Sequence, residues 1–331
     1  MTEIKKRLER LENLSDSLDG VLIFSDSGGA MNFENPNFFY LSNSDVLGAV
    51  YYDFSSPKLY TNIMEKTRAK RGWIKDISLM DKNFEKEIKN KKIGIDKAST
   101  SFTTLERINK ICKTVDISQE LEKARLIKTK YEIKTIKEAC KITGKIYKKV
   151  LPQINKTSTE IELKGLIEYE MHKQGVLPSF PTIVAAGKNS AEPHHVADKT
   201  KLKEPIVIDF GVRYKGYISD VTRTIGSKEE KNLEKIIQEV YTKIKSGIQA
   251  KELDILTRKL MKDKSKYFIH SLGHGIGIAV HERPWLNSKS TDILKPGMTF
   301  TIEPGIYHKE GIRIENDVLL KEDGIEILTK F

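Results

Sequence analysis

The sequence predicts two domains: an α+β domain over residues 122–331, preceded by a smaller α/β domain over residues 1–121. Three observations carry this. The chain has 331 residues, too many for one ordinary domain. Its texture changes near Leu121, from short apolar runs alternating with polar stretches to long helical patterns. The polar residues that stand inside apolar runs all fall in the second part.

Composition narrows the function classes. An apolar fraction of 38% with 8% aromatics is enough for a buried core and excludes wholesale disorder. The 57 Lys+Arg against 46 Asp+Glu leave +11, but the excess is lysine spread along helical stretches such as Lys141, Lys145, Lys148 and Lys149. A nucleic-acid footprint would be clustered, arginine-rich and interleaved with aromatics, so the charge reads as solvated surface. The two cysteines, Cys112 and Cys140, exclude a disulfide framework and a zinc-thiolate site and fit a reducing cytoplasm. Residues Met1 to Leu18, with leucines at 8, 11, 14 and 18, predict an amphipathic helix, not a signal peptide. The absence of a long apolar run predicts no membrane span.

In the first domain, Gly20–Phe24, Leu47–Tyr52, Lys58–Thr61 and Lys92–Ile95 read as strands, and stretches around 64–71, 82–90 and 101–112 as helices. No nucleotide fingerprint occurs there. In the second, Ile133, Ile136, Cys140 and Tyr147 lie on one face of a helix over about 129–150. Thr157 with Glu160 predicts a capping box opening a second helix that closes near Gly175, and Ser227 with Glu230 repeats the signal. Leu233, Ile236, Ile237, Val240, Tyr241 and Ile244 form an amphipathic stripe, and a fourth helix follows at about 251–263. Phe180–Ala186, Pro205–Val212, Tyr217–Ile225, Met298–Glu303 and Ile312–Lys321 read as strands of a mainly antiparallel sheet.

Carboxylates inside those strands point to chemistry. If Lys215-Gly216 is a two-residue hairpin turn, Asp209 pairs with Thr222 and lies diagonally from Asp220, on one face of the sheet. A loop centred on Lys309 sets Glu303 opposite Glu315. Period-two alternation then sends Thr301, Glu303, Arg313 and Glu315 to one side and Ile302 and Ile314 to the other. Four carboxylates gathered without partners would cost several kcal/mol each or would protonate. Two divalent cations would balance them, with a bridging hydroxide as nucleophile. A histidine is the expected fifth ligand, and His270, His274 and His281 stand in one segment with His194-His195 elsewhere. Glycines 273, 275 and 277 around His274 imply a close backbone approach.

The order Asp-Phe-Gly, Ser-Asp-Val-Thr-Arg-Thr, Gly-His-Gly-Ile-Gly…Val-His-Glu, Thr-Ile-Glu-Pro-Gly and Arg-Ile-Glu-Asn-Asp resembles the pita-bread (creatinase/aminopeptidase-like) metallopeptidases, proline-specific branch. The resemblance covers about 125–331. The first domain is similar in length and texture to that branch's creatinase N-terminal-like domain, and Asn37-Phe-Phe-Tyr-Leu41 resembles its Asn-x-x-Tyr-Leu segment.

The resemblance implies Asp209, Asp220, His274, Glu303 and Glu315 as ligands of two divalent ions, manganese or cobalt ahead of zinc or iron. Asp220 and Glu315 would bridge or chelate, and Glu303 would also be the general base. It implies that His281 stabilises the tetrahedral intermediate, that His194 and His270 face the substrate, and that Arg313 orients a ligand or binds a substrate carboxylate. Ala191-Glu-Pro-His-His-Val-Ala departs from the family, which has an apolar residue before the proline and glycine after the first histidine. His194 is expected to face the site rather than His195.

The expected function is hydrolysis of the bond before proline, as an Xaa-Pro dipeptidase acting on proline-containing dipeptides or short peptides. The short first domain resembles compact microbial prolidases, which implies a homodimer, and the composition read above adds a cytoplasmic location with no nucleic-acid or membrane partner. The alternatives are an Xaa-Pro aminopeptidase acting on longer peptides, a methionine aminopeptidase, which would not need the first domain, and a non-catalytic binding module, which would have lost ligands.

Overall fold

The computed structural model describes residues 2–25 and 35–331; Met1 of the expected N-terminal helix lies outside them. The chain divides into two compact units, Met1–Arg125 and Leu126–Phe331.

The first unit opens with α1 (Glu3–Leu8) followed by a 3-10 segment, Glu9–Asp16, where one continuous helix to Leu18 was expected. The Ser15 and Ser17 hydroxyls donate back to the carbonyls of Glu12 and Leu14, local bonds that compete with α-helix. The elements that follow are β1 (Gly20–Phe24), α2 (Pro36–Ser42), β2 (Gly48–Tyr52), β3 (Pro57–Thr61), α3 (Lys66–Ala69), β4 (Ile77–Leu79), α4 (Lys82–Ile88), β5 (Lys92–Ile95), α5 (Phe102–Asn109), β6 (Lys113–Asp116) and α6 (Ser118–Leu126). Among the described residues the strands form one sheet in the order β4-β3-β2-β1-β5-β6. The edge strands β4 and β6, of three and four residues, are too short to show an alternating pattern, and neither has a fully buried residue. Helix α2 begins at Asn35, whose side chain accepts from the Asn37 and Phe38 amides. Asn37 then donates to Asp96 at 2.7 Å and Tyr40 to the Ala124 carbonyl at 2.9 Å, so the Asn37 to Leu41 segment anchors the unit's interior.

The second unit continues with α7 (Lys130–Val150), α8 (Glu160–Lys173), β7 (Leu177–Pro178), β8 (Ile183–Ala186), β9 (Ile206–Phe210), β10 (Val212–Tyr214), β11 (Tyr217–Ile218), β12 (Val221–Ile225), α9 (Glu230–Lys243) and α10 (Ala250–Met261). It ends with β13 (Gly273–Gly275), β14 (Glu282–Leu286), β15 (Thr299–Ile302), β16 (Gly305–Tyr307), β17 (Gly311–Arg313), β18 (Asn316–Lys321) and β19 (Gly324–Ile327). Its strand pairs among the described residues are antiparallel, as expected for an α+β domain. Two sheets matter for the site: β12-β9-β8 and β14-β13-β15-β18-β19.

Each sheet buries one face against a helix pair. Ile142 and Ile146 of α7 and Leu163 and Ile167 of α8 pack with Val184, Ile208 and Phe210. Leu233, Ile237 and Val240 of α9 and Leu253 of α10 pack with Phe300, Ile302, Ile314 and Val318. Because strand side chains alternate, burying residues 208, 210, 300, 302 and 314 on the helix side turns 209, 301, 303, 313 and 315 to the opposite side. The lysines of α7 named above lie on its exposed face.

Two capping expectations are corrected. Helix α8 is opened by Thr159 and Glu162, not Thr157 and Glu160; Glu160 is buried and engaged elsewhere. Helix α9 has Glu229 at its N-cap with no side-chain cap. There the Ser227 hydroxyl accepts from the Glu229 amide and caps a turn, not the helix.

Candidate metal centre and active site

The acidic pairs arise from register. Asp209 pairs with Thr222 across β9 and β12, and the Lys215-Gly216 turn joins β10 to β11 in the same register, Arg213 opposite Ile218. On the second sheet Ile302 pairs with Asn316, and beyond the centre Gly305 pairs with Arg313, which brackets Glu303 opposite Glu315. Hydrogen bonds join the two sheets where the pairs face each other. The Glu315 amide donates to the Thr222 carbonyl at 3.1 Å, and the Arg313 amide to Thr224 Oγ1 at 3.1 Å.

His274 sits on the short strand β13, pressed between β14 and β15. A Cβ on Gly273 would strike the Thr301 carbonyl, and one on Gly275 the Arg283 carbonyl. The close approach read from these glycines is therefore strand against strand. It delivers His274 Nε2 to 3.3 Å from Glu303 Oε1 and 3.9 Å from Asp220 Oδ2. Ligand-type atoms of Asp220, His274 and Glu315 lie within 4.8 Å of one another.

Electrostatics show what this cluster lacks. Burial and the neighbouring carboxylates push Asp220 and Glu315 well above the usual carboxylate range. Burial also raises Asp209, against the pull of Arg313. Burial acts upward on Glu303 too, but the hydrogen bond and charge of His274 outweigh it and hold that carboxyl at about 2. The same contact raises His274 against its own burial. Asp209 Oδ1 is buried with no hydrogen-bond partner among the described residues. An orphaned carboxylate oxygen, a crowd of acids short of positive charge and one imidazole make a donor set that fits hard or borderline divalent ions.

The remaining expected residues lie on the same cavity, of about 980 Å³, which His194, His270, His281 and Arg313 all line. Arg313 engages all five of its N–H groups: with Thr222 Oγ1 (3.0 Å), Tyr307 Oη (2.7 Å), Asp209 Oδ2 (2.6 Å) and, twice, the Pro193 carbonyl (3.3 and 3.4 Å). His270 is held by the Ser271 carbonyl at 2.8 Å and by Tyr307 Oη at 2.9 Å. Because the Ser271 carbonyl can only accept, a neutral His270 ring carries its proton on Nδ1, and Tyr307 donates to Nε2 while accepting from Arg313. Burial lowers the pKa of His270, consistent with that state. His281 is exposed, its ring 4.3 Å from that of His274, so it is no core histidine. His194 is exposed on the cavity, whereas His195 is buried with Nε2 at 2.7 Å from Glu160.

Sequence reasoning missed Asp317, Thr222, Tyr307 and Glu160. Asp317 accepts the Asp220 amide at 2.9 Å and the Cys140 thiol at 3.3 Å, and burial carries it up to about 7. Its position one residue past Asn316, in an alternating strand, was a signal of the same kind as Asp220. Thr222, Tyr307 and Glu160 carried none, since each is an ordinary residue of its element.

Comparison with known proteins identifies the family. Residues 134–322 match the model of metallopeptidase family M24, and residues 4–127 that of the creatinase/prolidase N-terminal domain. The chain is 35% identical to the Xaa-Pro dipeptidase of Pyrococcus furiosus, over 99% of this chain and 98% of that protein. The prolidase structure from Pyrococcus horikoshii superposes with a TM-score of 0.87 at 33% identity, over 99% of this chain and 98% of the other. The X-Pro aminopeptidase structure from Thermotoga maritima gives 0.86 at 32% identity, over 98% of each chain. The family implies divalent metal, and the chain belongs to metallopeptidase family M24, a pita-bread catalytic domain preceded by a creatinase/prolidase N-terminal domain.

Proposed function

We propose that this enzyme is an Xaa-Pro dipeptidase whose metal ligands are Asp209, Asp220, His274, Glu303 and Glu315. The observation that carries the reading is the convergence of these five side chains on one cavity, with Asp209 Oδ1 left without a partner among the described residues. Two divalent ions there would neutralise the carboxylates and make water a nucleophile near neutral pH.

The chain's own residues supply the rest. Thr301 donates to Glu303 Oε1 at 3.2 Å and His274 approaches the same oxygen, which leaves Oε2 to accept a proton from the attacking water. His281 presents an imidazole to the cavity and donates to the oxyanion that develops on the scissile carbonyl. His194 contacts substrate, as does His270 with its ring fixed by Tyr307. With its donors engaged, Arg313 orients Asp209. Phe180, Ile183, Val280 and Trp285 give the cavity an apolar wall suited to a pyrrolidine ring.

The near-equal likeness to an X-Pro aminopeptidase structure favours one second reading, removal of an N-terminal residue from longer X-Pro peptides. Hydrolysis of an X-Pro dipeptide and an X-Pro-Y tripeptide by manganese- or cobalt-loaded protein separates the two. The dipeptidase reading expects the dipeptide to be cleaved and the tripeptide to be left intact; the reverse preference contradicts it.

A further inference from the structure

His194 stands in the irregular stretch between a 3-10 turn, Gly187–Ala191, and β9, yet both of its neighbours are tied down. On one side, the Pro193 carbonyl accepts from two nitrogens of Arg313, at 3.3 and 3.4 Å. On the other, His195 Nε2 lies 2.7 Å from Glu160 Oε2, and its Nδ1 lies 3.2 Å from Glu192.

Glu160 is fully buried in the first turn of α8, where the helix terminus favours a carboxylate. Its Oε1 accepts from the Ala186 amide (2.7 Å) and from Asn189 (3.0 Å), and its Oε2 also takes the Asp198 amide (3.3 Å). Each of these donors belongs to the one stretch between residues 186 and 198. The backbone of α8 is registered with the end of that stretch, since the Glu160 and Ile161 amides donate to the carbonyls of Thr200 and Asp198.

Glu160, His195 and Asp198 are close enough together to suggest a metal site. The hydrogen bonding argues otherwise, because both Glu160 oxygens are occupied by donors and His195 Nε2 carries its proton toward Glu160. The cluster is a knot of hydrogen bonds that holds the residue next to His194. His194, His270 and His281 all line the same cavity, so the three imidazoles face one space.

We propose that Glu160 and His195 are positioning residues: their hydrogen bond, with the Arg313–Pro193 contact on the other side, clamps the loop so that His194 is aimed at the substrate. This rests on the reading of His194 as a substrate contact. A hydrogen bond from the side chain at 195 to Glu160 is then the property required, rather than bulk.

The test uses metal-loaded full-length protein and Xaa-Pro dipeptide hydrolysis for His195→Leu, His195→Gln and His194→Ala, and for the double variants that add His194→Ala to each. Melting temperature and metal content are measured on every variant, and rates are taken per folded, metal-loaded molecule. His194→Ala is expected to lower kcat/KM on the order of 100-fold. His195→Leu should lower it about tenfold while His194 is present and have no further effect when His194 is absent, because its influence passes through that side chain. His195→Gln, which keeps an N–H donor toward Glu160, should stay within about threefold of the parent.

Loss in His195→Leu that multiplies with the loss in His194→Ala overturns the positioning role and leaves His194 in place. So does equal activity of the Leu and Gln variants. Full activity of His194→Ala overturns the reading on which the proposal stands, and the proposal with it. Should His195→Leu not fold, the same cycle with Glu160→Gln, which keeps an acceptor for the Ala186 amide, reads the same coupling.

Discussion

Glu303 Oε1 receives both Thr301 and His274, a contact His281 does not share, so deletion of the two histidines should have different effects. His274→Ala removes an imidazole from the proposed ligand set together with the charge that keeps Glu303 low. It should lose at least one metal equivalent and nearly all turnover. His281→Ala should keep two metal equivalents and near-normal substrate affinity while turnover falls on the order of 100-fold, as for loss of one oxyanion donor. Elemental analysis, melting temperature and turnover on both variants check this, and equal metal loss would mean the imidazole ligand is misassigned. The residue scale is also where the sequence was most legible. Acids inside apolar strand runs, at Asp209, Asp220, Glu303 and Glu315, betray themselves because a solvated surface carboxylate has no reason to be there. Thr222 and Tyr307 stayed hidden, because a hydroxyl in a strand is unremarkable until its partners, Glu315 and Arg313, are known.

At the scale of elements, the hairpin between β10 and β11 fixes the register that gathers Asp209 and Asp220. Both turn residues have positive φ, Lys215 at 49° and Gly216 at 82°, which a two-residue turn of this hand requires. Gly216→Ala should therefore cost about 1 kcal/mol, and Lys215→Asn should stabilise by a few tenths of a kcal/mol, since Asn tolerates the left-handed region. Urea unfolding of the metal-free protein measures both; a neutral Gly216→Ala would show that the turn does not hold the register. Alternation and turn chemistry made β9, β12, β15 and β18 readable. Strands β13 and β14 were not readable, because β13 is three residues long with two glycines and is held by its neighbours rather than by its own propensity. The cap of α8 was misread for a related reason: Thr157 and Glu160 have the spacing of a capping box, but Glu160 is recruited by the loop after β8.

At the scale of the whole molecule, the acidic centre couples metal to stability. In the metal-free protein Asp220 and Glu315 sit well above their ordinary values and Asp317 near 7. A carboxyl whose folded pKa is raised contributes stability below its unfolded value, near 4, and loses it as pH rises through the folded value. The melting temperature of metal-free protein should therefore fall as pH rises from about 4 through 7, and bound divalent ions should suppress that fall. At a thousandfold excess over Kd, one ion adds about 4 kcal/mol, or about 10 °C for a domain of this size. Scanning calorimetry with and without manganese between pH 4 and 8 checks the direction, and a flat profile without metal would mean the acids do not repel one another. No helix among the described residues is long and apolar enough to cross a membrane. The texture of the sequence changes near Leu121, and the chain divides after Arg125, where the long helices begin.

The most direct measurement is a titration of chelated protein, shown metal-free by elemental analysis, with manganese or cobalt while hydrolysis of an Xaa-Pro dipeptide is followed. Five ligands around two divalent ions predict no turnover without metal and a rise that reaches its maximum at two equivalents per chain. Full turnover by the metal-free protein, or a maximum reached at one equivalent with no second ion bound, would contradict the dinuclear centre.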